Sequence, residues 1–327
     1  MYVRTGEPVS SRVISRVHPE ALSSATIRNI MSELEEAGYL YQRHTSAGRV
    51  PTAEAYRFFA QQAVSDAKVS DADQAWIREQ LGSAGSAEEM TERAGHILAE
   101  VSQGLGIVLM PRLAGSVLNH IRFLLLPDGR VVVVLLSAGG VTRDKIVRPD
   151  QEFSQTELDG TAAHLNSHYS GWTLEAIRAD LLGKLSTERE RYGRLLSAAL
   201  QFCDPVLLDS DSGRQVYVEG AAQFASAPEL AEAAPMRELL STIEEKGRLV
   251  ALLDACIEAP EPVHIQIGVK EISAAGEHLA LIAAPYSLGD QAKGSLGVLG
   301  PMRMQYERAI TAMAYLAQAF SETLNRS

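Results

Sequence analysis

The sequence predicts an α+β protein of more than one domain, opening on a helix-turn-helix with a wing. Three observations predict it. Residues 22–59 read as helix, short strand, basic loop and second helix. Residues 119–147 hold three strand candidates in close succession. From residue 215 onward, isolated strands are interspersed with amphipathic helices. A chain of 327 residues is long enough for two or three domains with sizeable cores.

The first element of that pattern is a helix beginning at Ser23 or Ser24, where a serine hydroxyl can accept from the free amides of the first turn. Ile27, Ile30, Met31 and Leu34 recur at helical spacing and predict one apolar face. Gly38 follows the last of them, a position suited to a left-handed cap. The other face carries Ser24, Thr26, Arg28 and Asn29, and its acids, Glu33, Glu35 and Glu36, come only afterwards. A polar, acid-free first half suits a helix that enters a major groove, with the carboxylates held clear of the phosphates. A short strand over 39–42 leads into Arg43, His44, Thr45, Ser46, Ala47, Gly48 and Arg49, a loop without a carboxylate. Thr52 is placed to cap the next helix, which carries Tyr56 and Arg57. A helix followed by such a loop is a winged-helix arrangement, in which the helix reads bases and the loop lies on the backbone or in the minor groove. The alternative is a solvated helix face on a protein-interaction module. Arg49 reads as a wing contact or as packing on Tyr41. Tyr56 and Arg57 read as core support or as backbone contacts.

Ahead of this helix, residues 9–17 predict a short helix with Val13, Ile14 and Val17 on one side, broken by His18-Pro19-Glu20. Beyond it, residues 63–73 read as a linker or a helical continuation, 75–81 as a short helix, and 87–103 as a helix with Met90, Ala94, Ile97, Leu98 and Val101 at core spacing. A strand over 105–110 follows. Residues 119–126, 131–136 and 141–147 form a predicted antiparallel meander, with Pro127-Asp128-Gly129 as the first turn. The unbroken apolar run of the middle strand predicts cover on both faces. Helices are expected at 155–169, 174–181, 187–203, 236–257 and 302–324, and strands at 215–219, 263–268, 278–284 and 294–299.

Charge divides the chain. The net is −11, yet residues 1–62 carry seven Arg against six Glu, a net of +1, so the rest carries −12. An acidic body disfavours indiscriminate binding to DNA and leaves contact to the near-neutral amino end. No apolar run is long enough to span a bilayer, no charged-then-apolar leader opens the chain, and a cytoplasmic protein is expected. Cys203 and Cys256 lack metal or disulfide spacing and read as two reduced thiols, with Cys256 in the core. His164 and His168 stand at i and i+4 on a helix, a spacing that can hold zinc, but no third ligand accompanies them. A solvated face is the expectation, with no metal and no cofactor. Gly294, Gly297 and Gly300 fit no nucleotide-binding loop and read as close-packed strand glycines. No serine elbow, paired-carboxylate signature or kinase motif appears, so no enzyme is expected.

The string SSATIRNIMSELEEAGYLYQRHTSAGRVPTAEAYRF resembles the amino-terminal signature of the heat-inducible transcription repressor family HrcA. KGSLGVLGPMRMQYERAI, residues 293–310, resembles the family's carboxy-terminal signature GTIGVIGPTRMDY, with Met302 where Thr is common. VYVEGAAQFASAPEL, residues 216–230, is also similar to the family. GEPVSSR corresponds to its GEPVGSR, with Ser10 for Gly. The resemblance implies a winged-helix DNA-binding domain over 1–65, a GAF-like α/β domain over 70–112 plus 213–327, and an inserted dimerisation domain over 113–212 that contains the meander. It further implies a homodimer that represses chaperone operons from an inverted-repeat operator (CIRCE), with the GroE chaperonin as modulator and no membrane partner. The DNA contacts expected from the helices and loop of residues 22–59 are Ser24, Thr26, Arg28, Asn29, Arg43, His44, Thr45, Ser46, Gly48, Arg49, Tyr56 and Arg57. Family members carry a full helix ending in a stretch like YVRTGEPV, of which only the tail stands here. The implication is an internal start or a winged helix without its first helix, which would expose the apolar backs of the next two. The other reading is a ligand-sensing GAF-like regulator with a small-molecule effector.

Overall fold

A computed structural model describes residues 1–42, 48–66, 69–111, 117–137, 142–187, 199–203, 215–225, 246–259, 261–272, 274–288 and 292–325. The amino end holds α1 (Tyr2–Thr5), α2 (Ser11–Ser15), α3 (Ser24–Glu36), the hairpin β1 (Leu40–Gln42) and β2 (Arg49–Pro51), and α4 (Ala53–Asp66). We call residues 7–66 the head. α1 is a single turn docked on the body. Tyr2 and Val3 pack against the main core, and the Val3 carbonyl accepts from Arg303 Nη1 at 3.3 Å.

The body is a five-stranded antiparallel sheet in the order β7 (Val216–Glu219), β3 (Leu105–Leu109), β10 (Ala292–Pro301), β9 (Leu279–Leu288), β8 (His264–Ile267). One face is covered by α5 (Asp71–Gly82), α6 (Ala87–Ser102) and α11 (Tyr306–Leu324). The other is covered by α9 (Ala221–Ala225) and α10 (Lys246–Ile257), through Phe224, Leu249, Leu253 and Cys256. The helix expected over 87–103 forms as read, with Met90, Ala94, Ile97, Leu98 and Val101 all buried. Asp73 on α5 and Arg308 on α11 tie two helices together at 2.8 Å, and that guanidinium holds the Asp73 carboxyl below its usual range. Gly297 has no room for a side chain, since a Cβ there would lie 2.7 Å from Leu253 Cδ2. That is the close packing expected of a strand glycine.

A second unit contains the meander β4 (Leu118–Leu125), β5 (Val131–Ser137) and β6 (Thr142–Val147), with α7 (Gln155–Tyr169), α8 (Leu174–Thr187) and residues 199–202 against one face. α7 begins in a capping box between Ser154 and Glu157. Its side chains also close the outer edge of β4. Asn166 accepts from Ile121 N and donates to Ile121 O, at 2.8 and 3.0 Å, while Gln155 accepts from Leu125 N and donates to Phe123 O, at 2.9 and 3.0 Å. An edge satisfied this way does not recruit another strand.

The expected cover on both faces of β5 is corrected. Burial alternates along it, with Val131, Val133, Leu135 and Ser137 inside and Val132, Val134 and Leu136 half-exposed. Val132 pairs with Leu124 and Ile146, both exposed. The strand is apolar on both sides, but the described helices cover only one. The expected solvated histidine face is also corrected in part. His168 is exposed, but His164 is half-buried, with its ring stacked on His168 at 4.3 Å. Burial, then the charges of His168 and Lys184, holds His164 below the usual histidine pKa. The helix expected at 187–203 and the first half of that at 236–257 lie largely outside the described residues. Burial pushes the Cys203 thiol up to about 12 and Cys256 up to about 11, so neither is a ready nucleophile.

Candidate nucleic-acid interface

The head assembles from local rules. Ser10 caps α2 by accepting from Val13 N, and Ser23 caps α3 by accepting from Thr26 N at 3.0 Å. Between them the chain turns through His18–Glu20, with Ala21 in the left-handed region at φ 49°. After α3, Gly38 takes φ 82° and releases the chain into β1. The β1–β2 register pairs Leu40 with Pro51, Tyr41 with Val50 and Gln42 with Arg49. Thr52 Oγ1 donates to Gly38 O at 2.7 Å and accepts from Ala55 N at 3.4 Å, joining the end of α3 to the start of α4.

The candidate contacts separate by environment. Thr26, Arg28 and Asn29 are exposed on the first half of α3, whose first turn has no acid. Ser24 is half-buried and shares a 3.1 Å hydrogen bond with Ser11 Oγ, so its hydroxyl joins α3 to α2. Gly48 is required by space: a Cβ there would lie 2.5 Å from the Val9 backbone. At the same place, Val9 exchanges backbone hydrogen bonds of 3.0 and 2.8 Å with Arg49 and adds an edge to the hairpin. Arg49 brings Nε to 2.7 Å from Glu35 Oε2, an ion-pair distance without hydrogen-bond alignment. Its charge is therefore shared with the back half of α3. Arg57 is exposed and paired with Glu54. Tyr56 is 6% exposed and belongs to the main core, with its ring 6.3 Å from that of Tyr306. Arg43, His44, Thr45 and Ser46 lie outside the described residues.

Two further cations stand on or beside the helix that packs against α3. Arg12 and Arg16 are exposed on or next to α2, which packs against α3. With Arg28, they make no ion pair among the described residues. Their signal in the sequence is the absence of any acid between Glu7 and Glu20.

The apolar face predicted for α3 is covered only at Ile27 and Met31. Ile30 is 40% and Leu34 39% exposed, and Val13 and Val17 on the α2 side are exposed too. The physical reason is that α1 packs on the body, leaving the backs of α2 and α3 uncovered by described residues. No described helix is long and apolar enough to cross a membrane, and no described group of three His, Cys, Asp or Glu side chains is placed to hold a metal ion.

Known proteins place this geometry in a lineage. Residues 88–310 match the family described as HrcA protein C terminal domain. The heat-inducible transcription repressor HrcA of Geobacter sulfurreducens is 36% identical over 324 residues, covering 99% of this chain and 94% of the relative. Those of Methylococcus capsulatus and Syntrophobacter fumaroxidans are 34% and 33% identical, each covering 99% of this chain, and 92% and 93% of the relative. A crystal structure of a hypothetical protein shares the fold, with a TM-score of 0.64 at 22% identity over 99% of this chain and 94% of its own. With its sequence matched from end to end by such relatives, the chain belongs to the HrcA family of heat-inducible transcription repressors.

Proposed function

We propose that this protein is a cytoplasmic, non-enzymatic transcriptional repressor. It binds an inverted-repeat operator of the CIRCE type as a homodimer and blocks transcription of heat-shock chaperone operons. The observation that carries this is the exposed, acid-free first half of α3, with Thr26, Arg28 and Asn29, on a helix against which α2 packs. In this reading residues 1–65 are a winged helix, 70–112 plus 213–327 a GAF-like domain, and 113–212 an inserted dimerisation domain. Thr26, Arg28 and Asn29 read bases. Ser24 sets the angle of α3 against α2, and Gly48 lets the wing base close on Val9. Arg12, Arg16, Arg43, His44, Thr45, Ser46, Arg49 and Arg57 hold the sugar-phosphate backbone.

The dimer surface is the open face of the meander, where Leu124, Val132, Val134, Leu136 and Ile146 lie side by side. The closed edge of β4 favours pairing by faces over pairing by edges. Tethering two heads at a fixed separation supplies the effective concentration that one weakly charged head lacks. The exposed apolar residues of α2 and α3 suit a protein that the GroE chaperonin keeps in its active state. Operator binding across a salt series tests the reading. A steep loss of affinity with salt on the inverted repeat, and weak binding to a scrambled duplex, is the expected result. Equal affinity for both sequences would refute it.

A further inference from the structure

Between the head and the body lies a half-open cleft of about 800 Å³, a volume suited to a small organic ligand. Its floor is apolar and buried, made of Val50 from β2, Tyr56 from α4 and Ile267 from β8. Two further rings, Tyr2 and Tyr41, stand in its walls. In a chain of net charge −11, the lining is cationic: Arg57, Lys270 and Arg303 face it with the carboxylate of Glu277. Arg57 is paired with Glu54, while Lys270, 3.8 Å from Glu277, and Arg303 bring two further cations to a lining with one carboxylate. Arg303 is half-buried and positioned through Val3 O.

We infer that this cleft is a binding site for a small organic anion, a carboxylate or phosphate carried on a planar ring. The ring is taken by the tyrosines and the apolar floor, and the anionic group by Arg303 and Lys270. No residue of α3 lines the cleft, which separates this site from the α3 surface. Because one wall is β2 and α4 and the other is the body, a bound ligand fixes the angle of the head. Occupancy is thereby coupled to the spacing of two heads on an operator. That consequence rests on the repressor reading; binding itself does not.

Calorimetric titration of the full chain tests it, with adenosine monophosphate and benzoate as organic anions, adenosine and inorganic phosphate as the separated halves of the first, and benzamide as the uncharged counterpart of the second. At least one organic anion binds saturably, with its halves or uncharged counterpart about tenfold weaker or more. Lys270→Glu weakens binding about tenfold and Glu277→Gln tightens it about threefold, as expected for charges at a solvent-exposed mouth. Both side chains are largely exposed, so neither change threatens the fold. No saturable binding by either organic anion, or binding indifferent to both substitutions, overturns the proposal. Operator affinity is then measured with the cleft saturated. Failure to bind the operator in any state would count against the repressor reading alone, because the calorimetry judges the cleft without DNA.

Discussion

Strands β3, β9 and β10 are buried along almost their whole length, whereas β5, which is just as apolar, is buried only at every second residue. The composition of the strands does not make this difference. Among the described residues, the five-stranded sheet has helices on both faces, and the meander has helices on one. An apolar run therefore reports that both faces of a strand are apolar, not whether or by what each is covered. In the body the cover is intramolecular. In the meander the uncovered face is where a second copy is proposed to sit.

The largest effect separating the two sheets is expected from Leu296→Ala. Leu296 is fully buried beside Val108 and Ala284, and the change should cost about 2–5 kcal/mol in urea unfolding. Val134→Ala on the open face should cost less than about 1 kcal/mol. Equal losses would break the comparison. Next in size, Val134→Glu should leave unfolding of the isolated chain nearly unchanged but raise its self-dissociation constant by about tenfold or more, read by sedimentation. An unchanged constant would move the dimer contact elsewhere.

The head adds a third case, in which an apolar helix face stays half open while the polar face is proposed to work. Arg28→Ala should cost about 1–3 kcal/mol on the preferred operator and flatten discrimination between operator variants. A uniform loss on all duplexes would reassign Arg28 to the backbone. Glu35→Gln removes the partner of Arg49, and both side chains are partly exposed. It should change head stability by only about 0.2–1 kcal/mol, and it should strengthen non-specific DNA binding by releasing a cation.

The smallest effect concerns pH. His164 faces His168 on its own helix and Lys184 on α8, where Lys184 is bonded to Asp180 and the Tyr169 hydroxyl. Its folded pKa lies below the ordinary 6.5, so the unfolded chain binds the proton more readily. Its contribution is intact above that value, and the meander unit loses stability as pH falls below it. His164→Gln should remove that acid sensitivity from the meander while leaving the five-stranded sheet unaffected, which hydrogen exchange resolves by region. A loss of the same size in the variant would assign the sensitivity to another group.

Much of this was legible from local chemistry. The cap at Ser23, the left-handed turn at Gly38, the helical spacing through Met90 and Val101, and the turn at Pro127–Gly129 each depend on residues a few positions apart. The chain has little choice in such interactions. The acid-free half of α3 and the acid-free stretch of α2 are likewise visible as strings. The partners of the candidate residues are not visible in this way. Ser24 meets Ser11, Gly48 is pressed on Val9, Arg49 reaches Glu35 and Tyr56 packs near Tyr306, all across separations that no periodicity encodes. Sequence determined by itself which segments are helix or strand and which faces repel water, because backbone propensity and side-chain spacing are local. Tertiary structure alone decided which apolar face is covered, which hydroxyl is spent between helices and where head and body leave a cationic cleft, because burial and pairing depend on what the rest of the chain brings alongside.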